Sequence, residues 1–293
     1  MAELLNLIFD PFAYAFMLRG LMAALTVGVV CAVLGVYMVL RGMAFFGDAI
    51  AHAILPGVAV GYLISGGSNQ LWLSVGGLAA GILTALGVGA ISRGGIKEDT
   101  AIGVLFAGMF ALGIALISTV RSYTVDLTHF LFGNVLGVSG ADLWLIGVAG
   151  GLVMVTILAF YKEFQVLAFD PLLAKTLRLP TTFLNNLLLV LIAVTIILSL
   201  QTVGIALMTA MLVTPAATAY LLTGRLTVMM ALSAAIGALS AMMGLYLSFY
   251  IDVASGPAIV LVCTFFFLLA FLFSPQRGLL VKRRRVRQKP ASG

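Results

Sequence analysis

The chain has 293 residues, 62% hydrophobic and only 9% charged, with a mean hydropathy of +1.20 and a formal net charge of +6. A soluble domain of this length needs far more polar surface, so a soluble globular protein is excluded. Apolar stretches of about 20 residues, the length of a bilayer-crossing helix, recur from one end to the other and predict an all-α polytopic membrane protein.

The N-terminal "MAELLNLIFDPF" lacks the basic region of a cleaved signal peptide and carries Glu3 and Asp10 instead. Polar and glycine-rich breaks then divide the chain into about nine predicted spans, near 14–40, 44–65, 71–92, 100–120, 142–160, 183–200, 202–222, 226–250 and 257–274. The short "SLQTVG" at 199–204 leaves eight as the alternative, if it is a break within one bundle element. Of the 16 lysines and arginines, all but Arg19 and Arg121 fall on one set of alternate connections. Positive residues remain cytoplasmic, which predicts an outside N-terminus and a cytoplasmic C-terminus. Cys31 and Cys263 lie in apolar runs far apart and read as packed small hydrophobes before soft metal ligands or a disulfide.

The second span contains "FFGDAIAHAILPG", residues 45–57. Asp48, His52 and Pro56 stand four residues apart, on one face of a helix. A carboxylate at mid-membrane costs roughly 2.5–3.5 kcal/mol and survives where it faces a bundle interior or water and has a partner. Pro56 has no N–H to give the His52 carbonyl. The resulting mixture of oxygen and nitrogen donors suits a first-row divalent metal such as Mn, Zn or Fe. The same spacing equally serves a plain aspartate–histidine hydrogen bond.

"GGLAAG" (76–81) and "GVAGG" (147–151) carry small-residue spacings that let helices approach closely, within the chain or at a dimer interface. The longest connection on the cytoplasmic side is "YKEFQVLAFDPLLAKTLRLP", 161–180. It predicts a short helix with Asp170 as N-cap, Pro171 in the first position, Leu172, Leu173 and Leu177 on one face, and a stop at Pro180. Such a helix either lies on lipid headgroups or docks a cytoplasmic partner. The basic tail, 276–293, reads as a topology signal with anionic-lipid contact and not as a nucleic-acid site. None of the five lysines follows a glycine, so there is no phosphate-binding G-K-[ST] loop, and H-E-x-x-H and G-x-S-x-G are absent too. Any ATP hydrolysis therefore belongs to another chain.

"MAFFGDAIAHAILPGVAVGYLISG" resembles the hallmark of the membrane permeases of manganese/zinc/iron-type ATP-binding-cassette importers. "KEDTAIGVLFAGMFALGIAL", "DLTHFLFGNVLGVS", "VGIALMTAMLVTPAATAYLL" and "GLYLSFYIDVASGPAIVLV" resemble the same family in the same order, and the likeness spans about residues 14 to 275. It implies a single permease domain over 1–293 in a bacterial cytoplasmic membrane. The implied partners are a second permease copy, two cytoplasmic ATPase subunits and an extracytoplasmic solute-binding protein. It implies further that Asp48 and His52 bind the transported Mn, Zn or Fe ion, with no permanently bound cofactor. The 161–180 segment, with Asp170, Pro171, Leu172, Leu173 and Leu177, would supply the coupling helix. His129, in "DLTHFLFG" on the outer side, is a candidate contact for metal or binding protein, with loop packing as the alternative. Two other transport readings stay open: a permease for a bulkier metal chelate, whose pathway has no need of an Asp–His pair, and an ion-coupled secondary transporter, which has no need of an ATPase dock.

Overall fold

The computed structural model describes residues 14–66, 70–119 and 135–274. Among them are twelve α-helices, one 3-10 turn at Val135–Gly137 and no strand. In chain order the helices are α1 (Ala15–Arg41), α2 (Phe46–Ala53), α3 (Leu55–Ser65), α4 (Gln70–Arg93), α5 (Glu98–Ser118) and α6 (Gly140–Ala159). There follow α7 (Tyr161–Phe169), α8 (Pro171–Thr176), α9 (Thr181–Val203), α10 (Ile205–Leu222), α11 (Leu226–Ile251) and α12 (Ser255–Phe273). With α2 and α3 counted as one span, nine of the described stretches are long and apolar enough to cross a membrane. The predicted spans recur with ends shifted by a few residues.

Local chemistry sets several of these ends. Arg41 closes α1, where a cation suits the negative end of the helix dipole, and Gly42 follows at φ +71°. Glu98 and Asp99 open α5, the complementary arrangement. Between α9 and α10, Gly204 adopts φ +84°, a conformation that suits glycine, so two helices form where eight spans would have needed one.

The described chain forms two compact units built from interleaved segments. One comprises residues up to 39, 134–147 and from 206 onward; the other comprises 40–133 and 148–205. In the first unit α11 packs on α12, and the buried Ser233 hydroxyl of α11 donates to the Ala32 carbonyl of α1 at 2.8 Å. In a helix already saturated with backbone bonds, a serine used in this way ties two spans together without leaving a polar group bare.

In the second unit α3 lies against α4, α4 against α9, and α2 and α3 against α5. The α3–α4 contact is backbone on backbone. A Cβ built on Gly57 would stand 2.0 Å from the Gly76 carbonyl oxygen, and one on Gly76 would stand 2.1 Å from that of Gly57. Gly81 of the same "GGLAAG" run receives the Ile197 side chain of α9. That run serves packing within the chain. Gly147 and Gly151 of "GVAGG" meet nothing within 4 Å, and Trp144, Leu152, Val155 and Leu158 of their helix are exposed. On a protein in water such a face would be a liability; on a membrane span it is lipid-compatible surface.

The connection at 161–180 differs from its prediction. It holds two helices, α7 and α8, and α8 ends before Pro180. Arg178 takes φ +56° while its N–H bonds the Lys175 carbonyl at 3.0 Å and the Leu179 N–H bonds that of Ala174 at 3.1 Å. This is a Schellman stop, with arginine where glycine is usual.

Candidate functional site

Asp48 and His52 share α2, an eight-residue helix with the aspartate in its first turn and the histidine in its last. The carboxylate thus sits at the helix end that favours a negative charge. His52 Nε2 lies 3.8 Å from Asp48 Oδ1, within ion-pair range and beyond a hydrogen bond. The side chains are 30% and 40% exposed, so both donors keep free faces for a ligand. Among the described residues, no cluster of three or more histidine, cysteine, aspartate or glutamate side chains forms.

The helix breaks just beyond the pair. Ile54 separates α2 from α3, and Pro56 occupies the first turn of α3. The Ile54 N–H is directed to the Ile50 and His52 carbonyls, and the Val58 N–H reaches the Ile54 carbonyl at 3.1 Å. The proline therefore divides the span two residues ahead of itself instead of bending one continuous helix, and the His52 carbonyl is approached by the Ile54 N–H in place of the missing Pro56 donor.

A second element holds the imidazole. Phe106 and Phe110, one turn apart on α5, flank His52 with ring centroids at 6.0 and 5.6 Å and interplanar angles of 65° and 80°. The two phenylalanines stack on each other at 5.8 Å, and Phe45 meets Phe106 edge-on. Edge-to-face contacts of this kind fix ring orientation as well as burying area. One turn further along α5, Gly113 abuts Leu55 and Pro56 at the helix break. Sequence reasoning missed Phe106 and Phe110. Their i, i+4 spacing was the available signal, but on an apolar span it looks the same as a lipid-facing pair.

The proposed docking helix forms as predicted at its start. Asp170 Oδ1 accepts the N–H groups of Leu172 at 3.0 Å and Leu173 at 2.9 Å, with Pro171 in the first helical position. Leu172, Leu173 and Leu177 are all exposed, whereas Ala174 is fully buried against the body of the unit. Leu177 lies just past the last helical residue. His129 and the tail 276–293 fall outside the described residues.

Residues 13–274 match the model of the ABC 3 transport family. The chain belongs to that family. As a family member it is a multi-pass transport subunit of the membrane and not itself an enzyme. Among relatives, the "Manganese transport system membrane protein MntC" of Halalkalibacterium halodurans is 46% identical over 95% of this chain and 94% of its own. The "Chelated iron transport system membrane protein YfeD" of Yersinia pestis is 38% identical over 94% and 91%. Among solved structures, PsaBC from Streptococcus pneumoniae in complex with Fab matches at 37% identity with a TM-score of 0.79, covering 97% of this chain and all of that one. The ABC 3 family member therefore shares its helical fold with a solved relative across nearly its whole length.

Proposed function

We propose that this chain is the permease subunit of an ATP-driven importer of a divalent first-row metal ion, with Asp48 and His52 as pathway ligands. The observation that carries the reading is the aspartate–histidine pair in a membrane span, 3.8 Å apart and half-exposed, with its imidazole braced by Phe106 and Phe110. The carboxylate offsets cation charge while the ion sheds water, and the neutral imidazole adds a borderline nitrogen donor that Mn, Fe and Zn all accept. The relatives named for manganese and iron support that ion class, and the higher identity of the manganese-named one puts manganese first.

Two protein donors do not fill a transition-metal coordination sphere. A second permease copy related by a two-fold axis would present its own Asp48 and His52, and water would complete the set. Two cytoplasmic ATPase subunits would dock on α8 through Leu172, Leu173 and Leu177, and an extracytoplasmic binding protein would deliver the ion, with His129 as a candidate contact. The charge bias supports an outside N-terminus and a basic cytoplasmic tail, in a bacterial cytoplasmic membrane.

Uptake of radiolabelled manganese, with iron and zinc measured in parallel, tests this reading. Asp48→Asn keeps size without charge, and His52→Ala removes the nitrogen ligand; each should cut uptake by at least an order of magnitude with the permease still expressed and assembled. Normal uptake in both variants would make the pair a structural contact and move the pathway elsewhere.

A further inference from the structure

Arg41 ends α1, and its Nη2 donates both to Glu98 Oε1, at the start of α5, and to Asn185 Oδ1, in the second turn of α9. The ion pair is largely buried, with the Arg41 side chain 11% and that of Glu98 23% exposed. Such pairs add little net stability over apolar packing, because desolvating two charges offsets their attraction. Arg41 Nη1 is also buried with no hydrogen-bond partner, which a purely stabilising contact would not leave.

Arg41 is tied to the surroundings of both Asp48 and His52. Along the chain, only residues 42–45 separate it from α2, and Met43 and Phe46 anchor that connection by full burial. Across space, its partner Glu98 opens the helix that flanks His52. Glu98, Ile102, Phe106 and Phe110 follow one another at intervals of four, a single ridge along α5, with Ile102 buried. At 1.5 Å per residue, Phe106 stands about 12 Å along the continuous helix from Glu98. α5 packs on α2, α3 and α4, whereas α9 packs on α2, α4, α7 and α8. Arg41 bridges the starts of these two helices through side chains. The start of α9 is in turn held to the docking segment, where Phe183 meets Phe160, just ahead of α7, at a centroid distance of 6.4 Å.

We propose that Arg41 and Glu98 are positioning residues for the metal site. Their pairing sets how α5 lies against α2, and so how the Phe106–Phe110 brace presents the His52 imidazole to the ion. Asn185 brings movement of α7 and α8 to the same point: a shift at the start of α9 draws on Arg41 and, through Glu98, on the helix that orients His52. This role rests on the reading of Asp48 and His52 as pathway ligands and of α8 as the ATPase dock.

Mn(II) affinity, read by electron paramagnetic resonance on the full-length permease in nanodiscs, tests the positioning role. Glu98→Gln should raise the dissociation constant by up to about tenfold, the limit set by the aromatic contacts through which it acts. Because Glu98 works through Phe110, the Glu98→Gln/Phe110→Ala double variant should bind no more weakly than Phe110→Ala alone. A purely structural pair would give independent effects that multiply. If Glu98→Gln does not fold, Arg41→Met combined with Glu98→Met, which buries no charge, replaces it in the same comparison. The complete transporter in proteoliposomes tests the link to α9: Asn185→Ala keeps the ion pair and should lower manganese uptake per ATP hydrolysed severalfold. Unchanged affinity in the folded Glu98 variant, multiplying effects in the double variant, or wild-type uptake per ATP in Asn185→Ala overturns the proposal. Asp48→Asn separates this failure from that of the underlying reading. If Asp48→Asn binds manganese as the wild type does, the pathway assignment itself fails; if it loses binding while Glu98→Gln does not weaken it, only the positioning role does.

Discussion

His52 stands edge-on to Phe110, with ring centroids 5.6 Å apart and planes at 80°. The contact links the histidine of α2 to a helix whose first residue begins 46 positions later in the chain. Its geometry fixes where the imidazole nitrogens point. Phe110→Ala should leave Asp48 and His52 in place but release the ring. An aromatic contact of this type is worth about 0.5–1.5 kcal/mol, so the half-saturating metal concentration should rise by up to about tenfold with a smaller change in maximal rate. Phe110→Tyr, which keeps the ring, should stay near wild type. Equal kinetics for the alanine and tyrosine variants would remove the brace from the account.

Gly113 and Gly108 lie on the same helix and make a matched pair. A Cβ at Gly113 would come within 2.6 Å of Leu55 Cβ and 3.0 Å of Pro56 N, while one at Gly108 meets nothing within 4 Å. Gly113→Ala should therefore destabilise the permease by about 1–3 kcal/mol through overpacking at the helix break. Gly108→Ala should be neutral or stabilise by up to about 1 kcal/mol, because alanine is the better helix former. Thermal unfolding of both variants in detergent checks this, and a Gly113→Ala protein as stable as Gly108→Ala contradicts the close approach.

The spans were legible because long apolar runs alternate with short charged connections, and Asp48 and His52 were legible because ionisable residues stand out against such runs. Asp170 was readable as an N-cap because its hydrogen bonds are local. What was hidden depends on partners distant in sequence. Phe106 and Phe110 look like any lipid-facing pair until α5 is laid on α2. "GGLAAG" and "GVAGG" have similar spacing, yet Gly76 touches another backbone and Gly151 touches nothing. The end of α8 was misplaced because Arg178 takes a left-handed conformation that the sequence offers no glycine to announce. The pairing of Arg41 with Glu98 crosses 57 positions and had no local signal.

The proposed orientation is open to cysteine labelling. Native Cys31 and Cys263 are buried and should give little background. A membrane-impermeant maleimide applied to intact cells should label Ser255→Cys, at the start of α12 on the side assigned outside. It should reach Ile96→Cys and Leu172→Cys, both at exposed positions assigned to the cytoplasm, only after the membrane is opened. Labelling of position 96 in intact cells reverses the threading.

Asp170 and Leu173 separate the shape of the docking helix from its surface. Asp170 Oδ1 caps α8 through the Leu172 and Leu173 N–H groups, so Asp170→Ala should cost about 1 kcal/mol of local helix stability. Asp170→Asn retains a capping oxygen and should be tolerated. Leu173 is 46% exposed and makes the apolar face proposed to enter the ATPase, so Leu173→Asp places a charge in that contact without disturbing the buried Ala174. Reconstituted with its ATPase, the Leu173→Asp permease should lose metal-stimulated hydrolysis and uptake together while its own Tm stays near wild type. Asp170→Ala should lower both partially, and Asp170→Asn should restore them. If Leu173→Asp transports normally, α8 lies against lipid headgroups and the ATPase docks elsewhere.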